Sequence, residues 1–319
     1  MSVAQAVAPP QAPEPSLVAY AQEEQAEEEA AVQWVAMHVD SAIWNGSESD
    51  ATRIARLPVG SYFLVLGDSV GGRIPVHYWG STTTRATDGW VDAAAIGPIP
   101  APGADWVQPI FPPRRVINDL GNELYRGDPS LPLVALTFDA GADRGASLQL
   151  LEVLRDKGVR ATFFVTGQFA DRYPDIMRVI AMDGHELANH SYTHSDFRKL
   201  SEGQMRSEIR LATASIESTS GVRIAPLWRA PFGSRTARIL EIVEEEGLRP
   251  IYWTLDSGDW LPNATTDRVL STVLGRTVSG SIVVHHVQPR ATAEAMPRII
   301  DELRGRGLEL VTVSDLIGP

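Results

Sequence analysis

The stretch "NHSYTHSDF" over residues 189–197 sets His190 and His194 four positions apart, with Ser191 and Thr193 between them. Two imidazoles at this spacing can grip a divalent cation, or they can be surface histidines in a polar loop, and the motif alone leaves both readings open. The chain has no cysteine, which excludes thiolate catalysis, disulfides and Cys-ligated zinc. Any metal must therefore be held by histidine and carboxylate, and imidazole suits zinc, cobalt or nickel. Other groups able to do chemistry stand directly after apolar runs: Asp139 closes "LVALTFD", Arg229 follows "PLW", Asp256 and Asp259 follow "PIYWTL", and His286 follows "SIVVH". Five of the seven histidines lie between 185 and 286.

The elements that must position these groups alternate. "LVALTF" is a continuous apolar run of the kind that forms a strand buried on both faces. "LQLLEVLRDKG" then places Leu150, Val153 and Leu154 at helical spacing and ends at Gly158, and "ATFFVTG" is the next strand. "YPDIMRVIAMDG" opens with Pro174 and stops at Gly184, and "SEGQ" at 201–204 is a capping box ahead of Met205, Ile209 and Ile216. Ile239, Ile242 and Val243 mark one later helix, and Met296, Ile299, Ile300 and Leu303 another; strands are expected at "PLWR", "PIYWTL", "SIVVHH" and "LELVTV". Six or seven such units in residues 132–319 predict a mainly parallel α/β sheet, open or closed into a distorted (β/α) barrel. Strand C-terminal ends carry the chemistry in both, so the polar residues named above would meet on one rim.

Ahead of this domain the composition changes twice. Residues 1–32 are rich in Ala, Pro, Gln and Glu and too poor in large apolar groups to bury a core, so they read as a flexible tether. Residues 33–99 carry short β-like runs divided by Gly, Asn, Asp and Ser turns, which suggests a small all-β barrel. Residues 100–131 include five prolines from Pro100 to Pro113 and read as a stiff extended linker. The net charge of −12 disfavours nucleic acid and anionic lipid as partners, because phosphate neutralisation needs clustered Lys and Arg. No run of about 18 apolar residues is present to span a bilayer. The first 31 residues contain no basic residue and no long apolar core, so they read as the segment that follows an export signal; the expectation is a secreted or cell-envelope protein.

In order along the chain, "TFDAG" (137–141), "HSYTH" (190–194), "RAPFG" (229–233), "DSGDW" (256–260) and "SIVVHH" (281–286) resemble the motifs of the NodB-type polysaccharide deacetylases. These are carbohydrate esterases that remove N-acetyl groups from amino sugars. The resemblance implies His190 and His194 as metal ligands, Asp139 as the general base for water, and Arg229 as the partner that holds Asp139 ionised. It implies His286 as the general acid for the leaving amine, oriented by Asp259. Phe232 would offer a backbone N–H to the developing oxyanion, and Trp260 and Val284 would receive the acetyl methyl. Adjacent strand residues face opposite ways, so only one of His285 and His286 can serve, and the motif aligns on His286. His185 reads as structural. The region 33–99 separately resembles a bacterial Src-homology-like domain, through Trp44-Asn45-Gly46, "LPVGSYFLVLG" and "GWVDAAAI"; such domains in envelope proteins bind peptidoglycan or pack on a partner domain.

One residue departs from the family. Where members carry two consecutive carboxylates, the second a metal ligand, this chain has Ala140. Asp143 could replace the lost ligand, water could complete the shell, or catalysis could be lost and glycan binding kept. The coherence of the other roles favours an enzyme, a polysaccharide N-deacetylase dependent on zinc, with cobalt or manganese as substitutes. Peptidoglycan is the preferred substrate, ahead of chitin-like polymers and xylan; the oligomeric state is not readable.

Overall fold

The computed structural model describes residues 34–57, 59, 61–80, 85–97, 123–141 and 143–317. The tether expected over 1–32 and most of the expected linker lie outside them. The first described region is a seven-stranded antiparallel sheet: β1 (Trp34–Met37), β2 (Ser41–Trp44), β3 (Arg53–Leu57), β4 (Tyr62–Val65), β5 (Arg73–Gly80), β6 (Arg85–Asp92) and β7 (Ile96–Gly97), ordered β3-β2-β6-β5-β4-β1-β7. Alternate residues supply one apolar cluster, with Val35 and Met37 from β1, Val76 and Tyr78 from β5, and Ile43, Phe63 and Val91 from their neighbours. Gly89 is required there, because a Cβ would come within 2.5 Å of Ile43.

From β8 (Leu133–Ala140) the chain alternates strand and helix: α1 (Ser147–Asp156), β9 (Thr162–Val165), α2 (Gly167–Arg172), α3 (Pro174–Met182), β10 (Glu186–Asn189), α4 (Glu202–Ser220), β11 (Leu227–Trp228), α5 (Ala237–Glu245), β12 (Arg249–Pro250), β13 (Leu255–Asp256), α6 (Thr266–Arg276), β14 (Ile282–His286), α7 (Arg290–Gly305), β15 (Glu309–Val311) and α8 (Val313–Ile317). The strands run parallel in the order β12-β11-β10-β9-β8-β14-β13, with β15 beside the start of β8. This is an eight-stranded half-barrel whose helices pack on its outer face, except α8, which lies against the inner one. Period-two alternation in β8 divides the core. Val134, Leu136, Phe138 and Ala140 join the helix-side cluster with Leu151 and Leu154, whereas Ala135 joins Phe164, Ala188, Leu227 and Ile282, plus Val313 and Leu316 of α8. No helix among the described residues is long and apolar enough to cross a membrane.

Local signals act as their chemistry dictates. Ser201 and Gln204 form the reciprocal capping box of α4, and Gly221 ends that helix in the left-handed region. The strand expected at "PIYWTL" is instead two short pieces, β12 and β13. Pro250 has no N–H for a ladder, and Leu124 pairs there: its N–H donates to Pro250 O (2.9 Å) and its carbonyl accepts from Tyr252 N–H (2.7 Å). The linker expected over 100–131 therefore gives way to built structure from Glu123 onward. Residues 124 and 126 bridge to Ile251 on one side and Ser281 on the other, seaming the open side of the sheet.

Candidate active site

Asp139 is the penultimate residue of β8, buried, with Arg229 beside it. Arg229 follows β11, donating its main-chain N–H to Asn189 O (3.0 Å), and its guanidinium is fully buried over the Phe164 ring at 3.9 Å. Nη1 donates to Asp139 Oδ1 (2.7 Å) and to Thr137 Oγ1 (2.9 Å). Burial alone would raise the Asp139 pKa, but Arg229, then His190 and His286, outweigh it and hold the carboxyl below its usual value. The carboxylate is thus ionised and fixed in direction.

His190 follows β10. Its Nδ1 lies 2.9 Å from Arg229 O, and its Nε2 lies 3.7 Å from Asp139 Oδ2. With Nδ1–H donating to the carbonyl, Nε2 keeps its lone pair and faces the carboxylate side of the site. His194 has a left-handed φ of 59°, and its ring centroid lies 4.9 Å from that of His190. Burial lowers both imidazole pKa values, that of His194 to about 3, so both rings are neutral at physiological pH. The loop between them is held at several points. Ser191, with φ 67°, donates its N–H to Asn189 Oδ1 (2.8 Å), and Ser191 Oγ accepts the His194 N–H (3.0 Å). Glu208 of α4 accepts from Tyr192 N (2.9 Å), Thr193 N (2.8 Å) and Thr193 Oγ1 (2.9 Å). Gly141 leaves room for the second ring, since a Cβ there would sit 3.2 Å from His194 Cδ2.

His286 ends β14 as the direct cross-strand partner of Asp139. Its Nδ1 meets Asp259 Oδ1 at 2.8 Å, while Asp259 Oδ2 accepts the His286 N–H (2.8 Å) and the Thr292 hydroxyl (2.6 Å). Burial opposes a charged ring, yet Asp259, Asp139 and Asp256 outweigh it and the His286 pKa is raised above 6.5. His285 faces the opposite way, buried and stacked on Phe138 at 5.3 Å. His185 is also buried, and its Nδ1 accepts the Ala161 N–H (3.2 Å).

The remaining expected residues fall around this rim. Phe232 has a left-handed φ of 58°, is 71% exposed and sets its ring 4.5 Å from His194. Trp260 is 56% exposed and donates its indole N–H to Asp256 (3.1 Å). Val284 is buried on the same strand face as His286. Asp143 is exposed, and Ala140 is packed in the helix-side core with Leu136 and Phe138. Among the described residues no three His, Asp or Glu side chains are gathered as a metal-binding group. Two neutral imidazoles side by side, one with its tautomer fixed, fit a divalent cation held by two nitrogens, the rest of its shell open to water or substrate. Thr292, Thr137, Asn189 and Glu208 escaped the sequence reading. A hydroxyl or carboxylate on an amphipathic helix or a strand carries no local signal that it will hold a loop or a charged partner.

The family model for polysaccharide deacetylase matches residues 126–251. A peptidoglycan-N-acetylglucosamine deacetylase of Bacillus cereus is 31% identical over 57% of this chain and 67% of its own. A chitooligosaccharide deacetylase of a Bradyrhizobium species is 31% identical over 63% of this chain and 94% of its own. The chain spans only 60% of another relative, the uncharacterized protein YlxY of Bacillus subtilis, at 32% identity and 61% of this chain. Among solved structures, a CE4 family pseudoenzyme from Bacillus anthracis superposes with a TM-score of 0.59 at 28% identity, covering 62% of this chain and 70% of that one. The half-barrel, the residues on its rim and the near-complete coverage of the Bradyrhizobium enzyme agree: this chain belongs to the polysaccharide deacetylase family.

Proposed function

We propose that this protein is a metal-dependent hydrolase that removes N-acetyl groups from an amino-sugar polysaccharide, with peptidoglycan the preferred substrate. One observation carries the reading: an ionised carboxylate, Asp139, and a ring biased toward its charged form, His286, are cross-strand partners, each held by its own buried counter-charge, Arg229 and Asp259. Amide hydrolysis needs this asymmetry, a base for water and an acid for the departing amine. Asp139 accepts the proton of the attacking water as the new C–O bond forms, and Arg229 keeps the carboxylate aligned. The oxyanion that develops is met by the backbone N–H of Phe232. When the tetrahedral intermediate collapses, His286 gives its proton to the amine nitrogen as the C–N bond breaks, leaving acetate and a free amino sugar. Trp260 and Val284 shape the slot for the acetyl methyl. His190 and His194 would hold the cation, zinc or else cobalt or manganese, which supplies acidification of water and polarisation of the carbonyl.

The substrate preference rests on the Bacillus cereus relative and on residues 33–99, read as a Src-homology-like module that binds the cell wall; it implies action outside the cytoplasm, after secretion or at the envelope. In this reading residues 132–319 form the deacetylase domain. A second reading is favoured by Ala140 and by the likeness to a pseudoenzyme: a glycan-binding or regulatory module that has lost a metal ligand. Acetate release from peptidoglycan, chitin oligomers and acetylated xylan, with zinc, cobalt or manganese and with Asp139→Asn as control, separates the two. Release by the wild type alone supports the hydrolase; no release with any metal overturns it in favour of the binding module.

A further inference from the structure

The chain just ahead of the half-barrel is tied to the catalytic rim through a run of stacked groups. Glu123 is buried and pairs with Arg235 Nε at 2.7 Å. The Arg235 guanidinium lies 3.4 Å over the Tyr252 ring, and its Nη1 donates to Gly233 O (3.3 Å). Tyr252 stacks on Trp253 with ring centroids 3.9 Å apart and planes 16° from parallel. Trp253 in turn lies 5.8 Å from the guanidinium of Arg229, whose Nη2 donates to Tyr252 O (3.4 Å). The order in space is therefore Glu123, Arg235, Tyr252, Trp253, Arg229, Asp139. Leu124 holds the same region by its main chain, accepting the Tyr252 N–H (2.7 Å).

The Arg235 branch also fixes the turn that carries Phe232. Phe232 and Gly233 both have left-handed backbones, at φ 58° and 63°, and a Cβ on Gly233 would come within 2.8 Å of Trp253 and 3.1 Å of Tyr252. The turn is pressed directly on the stacked pair, so the place of the Phe232 N–H depends on where Tyr252 and Trp253 sit.

We propose that Glu123 is a positioning residue for the deacetylation described above: through Arg235 it sets the Tyr252–Trp253 stack, and with it both the Phe232 turn and the direction of Arg229. The inference rests on that functional reading. Glu123 touches no reacting atom. It fixes a guanidinium whose planar face and charge are both used, which a lysine could not reproduce.

The test uses the full chain. Glu123→Gln and Arg235→Lys are each expected to lower kcat about ten- to a hundredfold with KM nearly unchanged, as for a small misplacement of catalytic groups. Glu123→Asp recovers part of the loss. In parallel, the near-ultraviolet circular dichroism of the stacked pair, identified by difference against Trp253→Phe, should weaken in Glu123→Gln while the far-ultraviolet spectrum stays the same. An unaltered near-ultraviolet signal in Glu123→Gln, or an unchanged kcat where the wild type is active, overturns the positioning role. A weakened signal in a protein that releases no acetate with any metal upholds the structural link and sinks the deacetylase reading instead, so the two failures are distinguishable.

Discussion

The two sides of the rim are built to different standards. On the side proposed for proton transfer, Asp139 and His286 are cross-strand partners near the ends of adjacent strands, and the groups that hold them, the Arg229 guanidinium and the Asp259 carboxylate, are buried and each make at least two hydrogen bonds. On the opposite side, His190 and His194 sit on a loop with two left-handed residues, clamped by Glu208, and where the resemblance implies a second consecutive carboxylate the chain has the Ala140 methyl, inside the helix-side core. Regular strand dihedrals hold the first side without backbone strain, whereas the loop, with two left-handed residues, holds its shape because side chains from α4 and β10 over-determine it. On the proposed reading, such a site can keep its acid–base pair intact while its hold on a cation varies.

The largest effect should come from breaking the first side. Asp139→Asn and His286→Asn are each expected to lower kcat/KM by about 10²–10⁴, the usual contribution of a positioned acid or base. Steady-state acetate release checks this, and a loss of less than tenfold in either would remove that residue from the mechanism.

The next tests whether the second side can be completed. Ala140→Asp places a carboxylate where the strand now points a methyl into apolar packing beside Leu136 and Phe138. An unpaired buried charge costs several kcal/mol. The variant should therefore melt below the wild type in the presence of a chelator. Zinc should raise its melting temperature by more than it raises that of the wild type. If zinc moves both equally, the new side chain does not reach the histidines.

A smaller effect sharpens the electrostatic contrast. The His286 pKa is raised above 6.5 and that of Asp139 is lowered below 3.8. The acid must be protonated and the base ionised, so kcat/KM should stay high from below the ordinary aspartate range to above the ordinary histidine range. Asp259→Asn removes the partner that charges the ring, and the alkaline limb should move to lower pH. The stability linkage has the same sign: the Asp259–His286 pair stabilises the fold fully below the unfolded histidine value and loses that contribution as pH rises through the folded one. An alkaline limb that stays in place in Asp259→Asn would assign the acid role elsewhere.

The smallest expected change is at Glu208→Gln. An amide oxygen can still accept from the loop amides but with less strength than a carboxylate. Calorimetry should show metal affinity weaker by about tenfold, in the lower part of the range for an outer partner of a ligand. Unchanged affinity would mean that Asn189 and Ser191 hold the loop unaided.

Much of the rim could be read from residue order because the apolar runs are long and the polar residue follows each run at once. "LVALTFD" and "SIVVHH" are of this kind; alternation allows only one of His285 and His286 to face the site, and the motif alignment chooses His286. The same repetition gives a mainly parallel sheet with helices but leaves open whether it closes. What could not be read depends on contacts distant in sequence. Thr292 reaches Asp259 from α7, across 33 residues and past α6. Leu124 and Glu123 follow a proline-rich stretch that masks their burial, and the two-residue strands β12 and β13 are too short to show any period. Helix α6 went unread although Val269, Leu270, Val273 and Leu274 stand at helical spacing and pack on the core.

The seam made by Glu123–Gly127 decides where this protein can be cut. A fragment starting at Leu133, the first residue of β8, looks complete by motif but would strip Leu124 from the interior and leave Pro250 O and the Tyr252 N–H without their mates. Such a truncation would have an open flank prone to aggregation, whereas one that retains Glu123 onward keeps the Leu124 pairing that closes it.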